Sequence, residues 1–183
     1  MPRSIGRRAA VRGGVIAALV AVSMFVAVSS ASAYGWNVPM TAAQQCASHL
    51  PCDAGASGNA NIFTGSNANQ LCGTFTWSGI HGAVGFGHIH QAADGQPENI
   101  GFTINLFGPP TSLSGFPSGT TGCTVVPSTV QAEMARFPME FMVTIHTTSY
   151  PGGAIRGELG SGNPFCQISQ ALCVGATALT GEY

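Results

Sequence analysis

Histidines in two short segments are the residues of this chain best suited to chemistry. His88 and His90 form a His-Ile-His sequence, and His146 ends a second apolar segment. Alternate side chains of a strand point to the same side, so His88 and His90 project together, about 7 Å apart at the backbone. Imidazole nitrogens bind copper and zinc at distances of about 2.0 to 2.1 Å. The three histidines are therefore predicted to bind a copper or zinc ion if their strands are adjacent.

The other two histidines, His49 and His81, lie in predicted turns or loops, where strand alternation does not indicate the direction of a side chain. His81 follows a strand-like segment, in an expected hairpin turn, and is a candidate fourth ligand. His49 lies in a predicted loop between two cysteines, where we expect solvation. An alternative interpretation of His88, His90 and His146 stays open: a polar patch that joins strands through hydrogen bonds, with one ring nitrogen donating and the other accepting.

The histidines require strands to position them, and alternation predicts which face each strand buries. Apolar side chains occupy the odd positions from Phe141 to Ile145. The even positions, Met142, Thr144 and His146, then point to the opposite face. His146 is therefore predicted to lie outside the core.

Arg156 and Glu158 share one face of a later strand by the same rule. An ion pair, or bonds from the arginine to loop carbonyls, is favoured over direct ligand binding. In a chain with so few charges, Arg156 is also a candidate for ordering the loop above the histidines.

The chain as a whole predicts an all-β fold, an antiparallel sandwich or barrel. No segment shows sustained helical periodicity, and short runs of β-branched and aromatic residues alternate with clusters of Gly, Pro, Ser and Asn. Residues 129–136 are predicted to form a short helix or turn. The predicted strands are Ala60 to Gly65, Asn69 to Ile80, Gly82 to His90, Gly101 to Phe107, Thr121 to Val126, Met139 to Thr147 and Ala154 to Leu159.

Six cysteines favour a disulfide-bonded, exported protein. Six cysteines allow fifteen pairings, and metal ligation is a weaker alternative because no Cys-x-x-Cys motif occurs. Spacing favours two local loops and one long-range bridge: Cys46 with Cys52, Cys166 with Cys173, and Cys72 with Cys123.

Residues 1–33 are predicted to be a signal peptide. Four arginines precede an apolar stretch from Val15 to Val28, and Ala31-Ser32-Ala33 fits a cleavage site before Tyr34. Fourteen helical residues span about 21 Å, short of a hydrocarbon core of about 30 Å, so a retained anchor is the less favoured alternative. We expect one mature domain, residues 34–183, that is secreted or periplasmic and has no membrane span.

Cleavage there would leave Arg136 and Arg156 against seven acidic residues, a net charge of about −5. The chain has no lysine and no basic stripe to neutralise phosphates. Nucleic acid and anionic membrane surfaces are therefore not expected as partners.

The motifs together resemble the CHRD family, whose domain was first described in chordin and is widespread in bacterial secreted proteins. The resemblance rests on Gly87-His88-Ile89-His90 and on the segment from His146 through Pro151-Gly152-Gly153 to Arg156-Gly157-Glu158-Leu159. Asn37-Val38-Pro39 is similar to a degenerate form of the family's opening Glu-Val-Pro-Pro. Similarity spans about residues 36–160, and it implies a bacterial secreted member whose Arg156 and Glu158 lie in the family's closing strand.

The sequence favours a binding protein over an enzyme. There is no Gly-x-Ser-x-Gly motif for nucleophilic hydrolysis, and there are no closely paired acids. A metal ion or an extracellular partner is expected, and the alternative is a structural or adhesive module that binds no metal. His-x-His on a strand is also similar to the copper site of copper-zinc superoxide dismutase, but no cluster matches the zinc site of that enzyme.

Overall fold

The computed structural model describes residues 34–48, 50–92, 96–97, 99–109 and 115–163. These residues form one sheet of eight antiparallel strands, in the order β5-β4-β7-β8-β1-β2-β3-β6, with two short α-helices and one 3-10 turn at 138–140. The predicted all-β antiparallel fold is confirmed. The bounds are β1 Gly35–Thr41, α1 Ala42–Ala47, β2 Ser57–Thr64, β3 Gln70–Ser78, β4 Val84–Gln91, β5 Asn99–Phe107, β6 Thr120–Val125, α2 Ser128–Arg136, β7 Phe141–Thr147 and β8 Ile155–Glu158.

The sheet curls into a nearly closed barrel because its two edge strands, β5 and β6, meet. Gly122 of β6 lies against the main chain of Leu106 of β5, where a Cβ atom would collide with the carbonyl oxygen. Beside this contact the rings of Phe75 and Phe107 pack edge to face, with centroids 4.8 Å apart. β5 and β6 therefore face each other, and their unpaired backbone groups are not left on an open sheet edge.

β1 was not among the predicted strands, although it lies at the centre of the sheet. It pairs with β2 along its full length and with β8 at Thr41. Trp36, Val38 and Met40 alternate with exposed residues and are buried in the core. Gly35 and Pro39 lower the strand propensity of the segment, but its period-two burial outweighs them.

The helices are short and lie at strand ends. α1 was not predicted; it begins after Thr41, whose hydroxyl accepts a hydrogen bond from the main-chain N–H of Gln44. α2 confirms the predicted short helix near residues 129–136. Six residues are too few for a recognisable amphipathic repeat, which explains why α1 escaped the sequence pattern.

Two disulfides join described residues, Cys46–Cys52 and Cys72–Cys123, as the spacing favoured. Cys72 and Cys123 lie opposite one another on β3 and β6. The predicted signal peptide at residues 1–33, His49, and the pairing of Cys166 with Cys173 all lie outside the described residues and stay predictions. In the parts of the chain that are described, no helix is long and apolar enough to cross a membrane.

Candidate metal centre

A buried polar layer lies on the face of β4, β7 and β8 opposite the hydrophobic core. Residues that pair directly across antiparallel strands share a face, so the register fixes the rows of this layer. Its members are His146 and two rows that run across the three strands, His88–Thr144–Arg156 and His90–Met142–Glu158.

Alternation correctly separated the two faces of β7, and His146 lies outside the hydrophobic core as predicted, but the face that carries it is buried as well. All seven residues of β7 are buried, and the histidines of the polar layer are 3 to 4% exposed. α1 contributes to the cover, because Gln44 donates a hydrogen bond of 2.8 Å to the Glu158 carboxylate and Gln45 donates one of 3.0 Å to the carbonyl of Gly152. The barrel wall is thus buried on both sides at this point.

The three predicted ligands meet at one place, which we call the histidine cluster (His88, His90 and His146). Each offers a ring nitrogen within 4.8 Å of the others. The Nε2 atoms of His88 and His146 are 2.7 Å apart, and the ring centroids of His88 and His90 are 4.1 Å apart. β4 and β7 are adjacent, as joint metal binding by the three histidines requires.

Main-chain carbonyls orient two of the three rings. Nδ1 of His90 lies 3.0 Å from the carbonyl oxygen of Phe102, and Nδ1 of His146 lies 2.9 Å from that of Pro151. A carbonyl oxygen only accepts, so Nδ1 carries the proton in both rings and Nε2 carries the lone pair. Histidines that bind metals are usually oriented by such a bond from the second nitrogen.

His88 completes the hydrogen-bond network of the metal-free protein. Because Nε2 of His146 accepts, Nε2 of His88 donates its proton to it. Nδ1 of His88 is then a buried acceptor, and it makes no hydrogen bond of normal geometry with the described residues. The side chain of Asn105, which lies opposite His88 on β5, is a polar neighbour that acts on the His88 ring.

Burial lowers the pKa of His88 to about 2, from 6.5. Loss of solvation is the largest cause, followed by repulsion from His146 and then from His90, while the Asn105 side chain acts weakly in the opposite direction. A neutral imidazole is the form that binds metals, so His88 needs no deprotonation at neutral pH.

The spacing of the histidine cluster fits a transition metal after small side-chain rotations. Three nitrogens at about 2.0 to 2.1 Å from one ion lie about 3.3 to 3.6 Å apart. The Nε2 pair of His88 and His146 would have to open by less than about 1 Å from 2.7 Å, and the other nitrogen pairs, all within 4.8 Å, would have to close by up to about 1.5 Å. For Nε2 of His88 to bind the ion, its proton would have to move to Nδ1 of the same ring. The group is all imidazole, since no Cys, Asp or Glu of the described chain belongs to it. Such a donor set suits copper or zinc.

Phe86 supports the cluster from the neighbouring position on β4. Its ring stacks on His146 at a centroid distance of 4.4 Å and an interplanar angle of 11°. Next to it, the pairing of β4 with β5 shifts register between Gly87 and His88. Register shifts re-aim side chains and are common beside functional sites. The supporting role of Phe86 was not predicted, although it shares the period-two face of His88 and His90.

Arg156 is fully buried and reaches toward the loop after β4. Its Nη1 donates a hydrogen bond of 3.0 Å to the carbonyl of Gln96. Nε and Nη2 find no hydrogen-bond partner within the described parts of the chain. The contact with Gln96 is of the kind expected for an arginine that orders a loop near the histidines.

His81 was a candidate fourth ligand, but it does not lie in the histidine cluster. It lies in the connection between β3 and β4, 74% exposed, with Nδ1 2.7 Å from the carboxylate of Asp53. Asp53 is buried and also accepts from the main-chain N–H of His81. A buried carboxylate needs hydrogen-bond donors, and His81 supplies two to Asp53. These contacts hold the segment between β3 and β4 in place at the surface.

The fold and the site define a disulfide-bonded antiparallel β-barrel with a buried cluster of three histidines in its wall. The chain belongs to the CHRD domain family, whose model matches residues 36–159. The match agrees closely with the extent of the resemblance read from the sequence. No curated protein and no solved structure shows significant similarity to the chain.

Proposed function

We propose that this protein is a binding module that holds one transition-metal ion, copper or zinc, through His88, His90 and His146. The observation that carries the proposal is the orientation of the rings: two Nδ1 atoms bond to carbonyls while the ring nitrogens of the cluster converge within 4.8 Å. Membership of the CHRD family and the disulfides support an extracellular setting. We further propose export of residues 34–183 from a bacterial cell after cleavage of the signal peptide.

Metal analysis of protein purified without a histidine tag tests the proposal. After removal of metals with a chelator and addition of copper or zinc, we expect about one equivalent to remain bound after desalting. The variant H88Q/H90N/H146N should bind none at this site. Asn places an amide nitrogen near the position of Nδ1, so the bonds to the carbonyls of Phe102 and Pro151 are retained while the ligand nitrogens are lost.

Matched controls are available in the same chain. His81 lies at the surface and pairs with Asp53, and His49 is predicted to be solvated in a loop, so H49N and H81N should leave stoichiometry and affinity unchanged. If the triple variant bound both metals as tightly as the parent protein, the metal-binding proposal would be wrong.

A structural role for the histidines is the second candidate, supported by the 2.7 Å bond between His88 and His146. This bond links β4 to β7, and a hydrogen bond of this kind contributes about 0.5–1.5 kcal/mol net. In this case neither metal would bind, and a structural or adhesive extracellular module would be the better description. Urea unfolding of H88Q, H146N and the double variant would then measure a coupling energy between His88 and His146, and metal analysis would detect no bound copper or zinc.

A further inference from the structure

Met142 is a buried apolar residue that does not belong to the hydrophobic core. It is fully buried, but the cluster of core side chains includes its neighbours Phe141 and Val143 and not Met142. Its side chain lies in the polar layer instead, between His90 on β4 and Glu158 on β8. Its thioether is a soft donor atom, which an aliphatic side chain of similar size lacks.

The register puts this thioether beside the histidine cluster. Residues directly opposite on antiparallel strands have Cβ atoms about 4.5–5.5 Å apart, so Met142 and His90 are side-chain neighbours. Methionine has three rotatable side-chain bonds, which allow its sulfur to adjust to an ion held by the imidazoles. His146 lies on the same strand and the same face, four residues further along.

The charge of the layer favours an ion of low charge. Within the described part of this face, one cation, Arg156, accompanies one anion, Glu158, so there is no excess negative charge to balance a dication. The ligands themselves are neutral imidazoles that are 3 to 4% exposed. The cost of desolvating an ion rises with the square of its charge, so a buried neutral site penalises a dication more than a monocation.

We infer that the site is selective for copper(I), with His88, His90 and His146 as nitrogen ligands and the Met142 thioether as a fourth, soft ligand. Thioethers bind copper(I) well and add little to zinc binding. The inference rests on the proposed metal-binding function and specifies the ion and its oxidation state.

The test compares copper(I) and zinc affinities in M142L and in M134L. Met134 is equally buried but lies in the hydrophobic core, so M134L makes the same chemical change away from the site. Copper(I) affinity is measured anaerobically by competition with bicinchoninate, with hydroxylamine as reductant so that no thiol is added. Zinc affinity is measured by competition with a chromophoric chelator. A free-thiol assay beforehand tests whether Cys166 and Cys173 contribute thiolates.

We expect M142L to lower the copper(I) association constant at least about tenfold and to change that for zinc less than about twofold, with M134L changing neither. X-ray absorption at the copper edge should detect one sulfur neighbour in the parent and in M134L and none in M142L. Retained zinc binding shows that M142L is folded. Unchanged copper(I) affinity in M142L, or equal losses for both metals, would overturn the role of Met142. A parent protein that binds neither metal would instead reject the proposed function itself.

Discussion

At the scale of single residues, burial decides the protonation state of the site. His88 is neutral in the folded protein over most of the accessible pH range because its pKa is lowered to about 2. In the unfolded chain the same imidazole has an ordinary pKa of about 6.5. Between these two values the unfolded chain binds one more proton than the folded protein at this residue, so acid favours unfolding.

We therefore expect the metal-free protein to lose stability as the pH falls below about 6.5. The contribution of His88 is complete above that pH and declines by up to about 1.4 kcal/mol per pH unit below it. Urea unfolding in the presence of EDTA at a series of pH values measures this slope. H88Q should show a shallower slope than the parent protein, because the titrating imidazole is removed. An unchanged slope in H88Q would show that His88 is not buried as a neutral group.

At the scale of elements, the disulfide between β3 and β6 should matter more than the one beside α1. Cys72 and Cys123 are 51 residues apart, whereas Cys46 and Cys52 are 6 apart. In the chain-entropy description the longer loop restricts the unfolded chain more, giving about 4 kcal/mol against about 2 kcal/mol.

Denaturant unfolding of C72A/C123A and C46A/C52A checks this order. The first variant should lose about 4 kcal/mol of unfolding free energy and the second about 2 kcal/mol. A larger loss for C46A/C52A would indicate that α1 and its cover over the polar layer contribute more than loop entropy.

The elements also show where sequence reasoning succeeded and where it could not. Period-two alternation located β7 and separated its two faces, because strand geometry enforces that pattern. It could not reveal that both faces are buried, since the cover from α1 depends on a chain reversal between β1 and β2 that no local pattern encodes. For the same reason, the sequence did not indicate which side chains surround Met142. It also could not show that His81 lies away from the other three histidines.

At the scale of the whole molecule, closure of the barrel depends on a glycine. A Cβ atom at Gly122 would collide with the main chain of Leu106, whereas one at Gly35 meets nothing nearer than 3.9 Å. G122A should therefore force β5 and β6 apart and cost about 1–3 kcal/mol, and G35A, which also adds a methyl group to a strand, should cost less than about 1 kcal/mol. Thermal unfolding of the two variants provides the comparison; equal costs would mean that the contact between β5 and β6 does not limit packing.

Metal binding should stabilise the whole barrel, because the ligands come from two different strands and are gathered only in the folded protein. An ion at about 100 times its dissociation constant adds about 2.7 kcal/mol, which raises the Tm of a domain of this size by about 5–11 °C. Differential scanning calorimetry with and without metal measures the shift. H88Q/H90N/H146N should show no shift, and an equal shift in that variant would place the ion elsewhere.

The contact between β5 and β6 also bears on how copies of the protein behave toward one another. Exposed strand edges recruit further strands and seed fibrils or domain-swapped assemblies. Here the two edges of the described sheet face each other, and β6 is covalently tied to β3 through Cys72 and Cys123. The route to intermolecular strand addition is thereby blocked in the native barrel. Self-association by that route would first require the seam between β5 and β6 to open, so resistance to aggregation follows from the same feature that completes the fold.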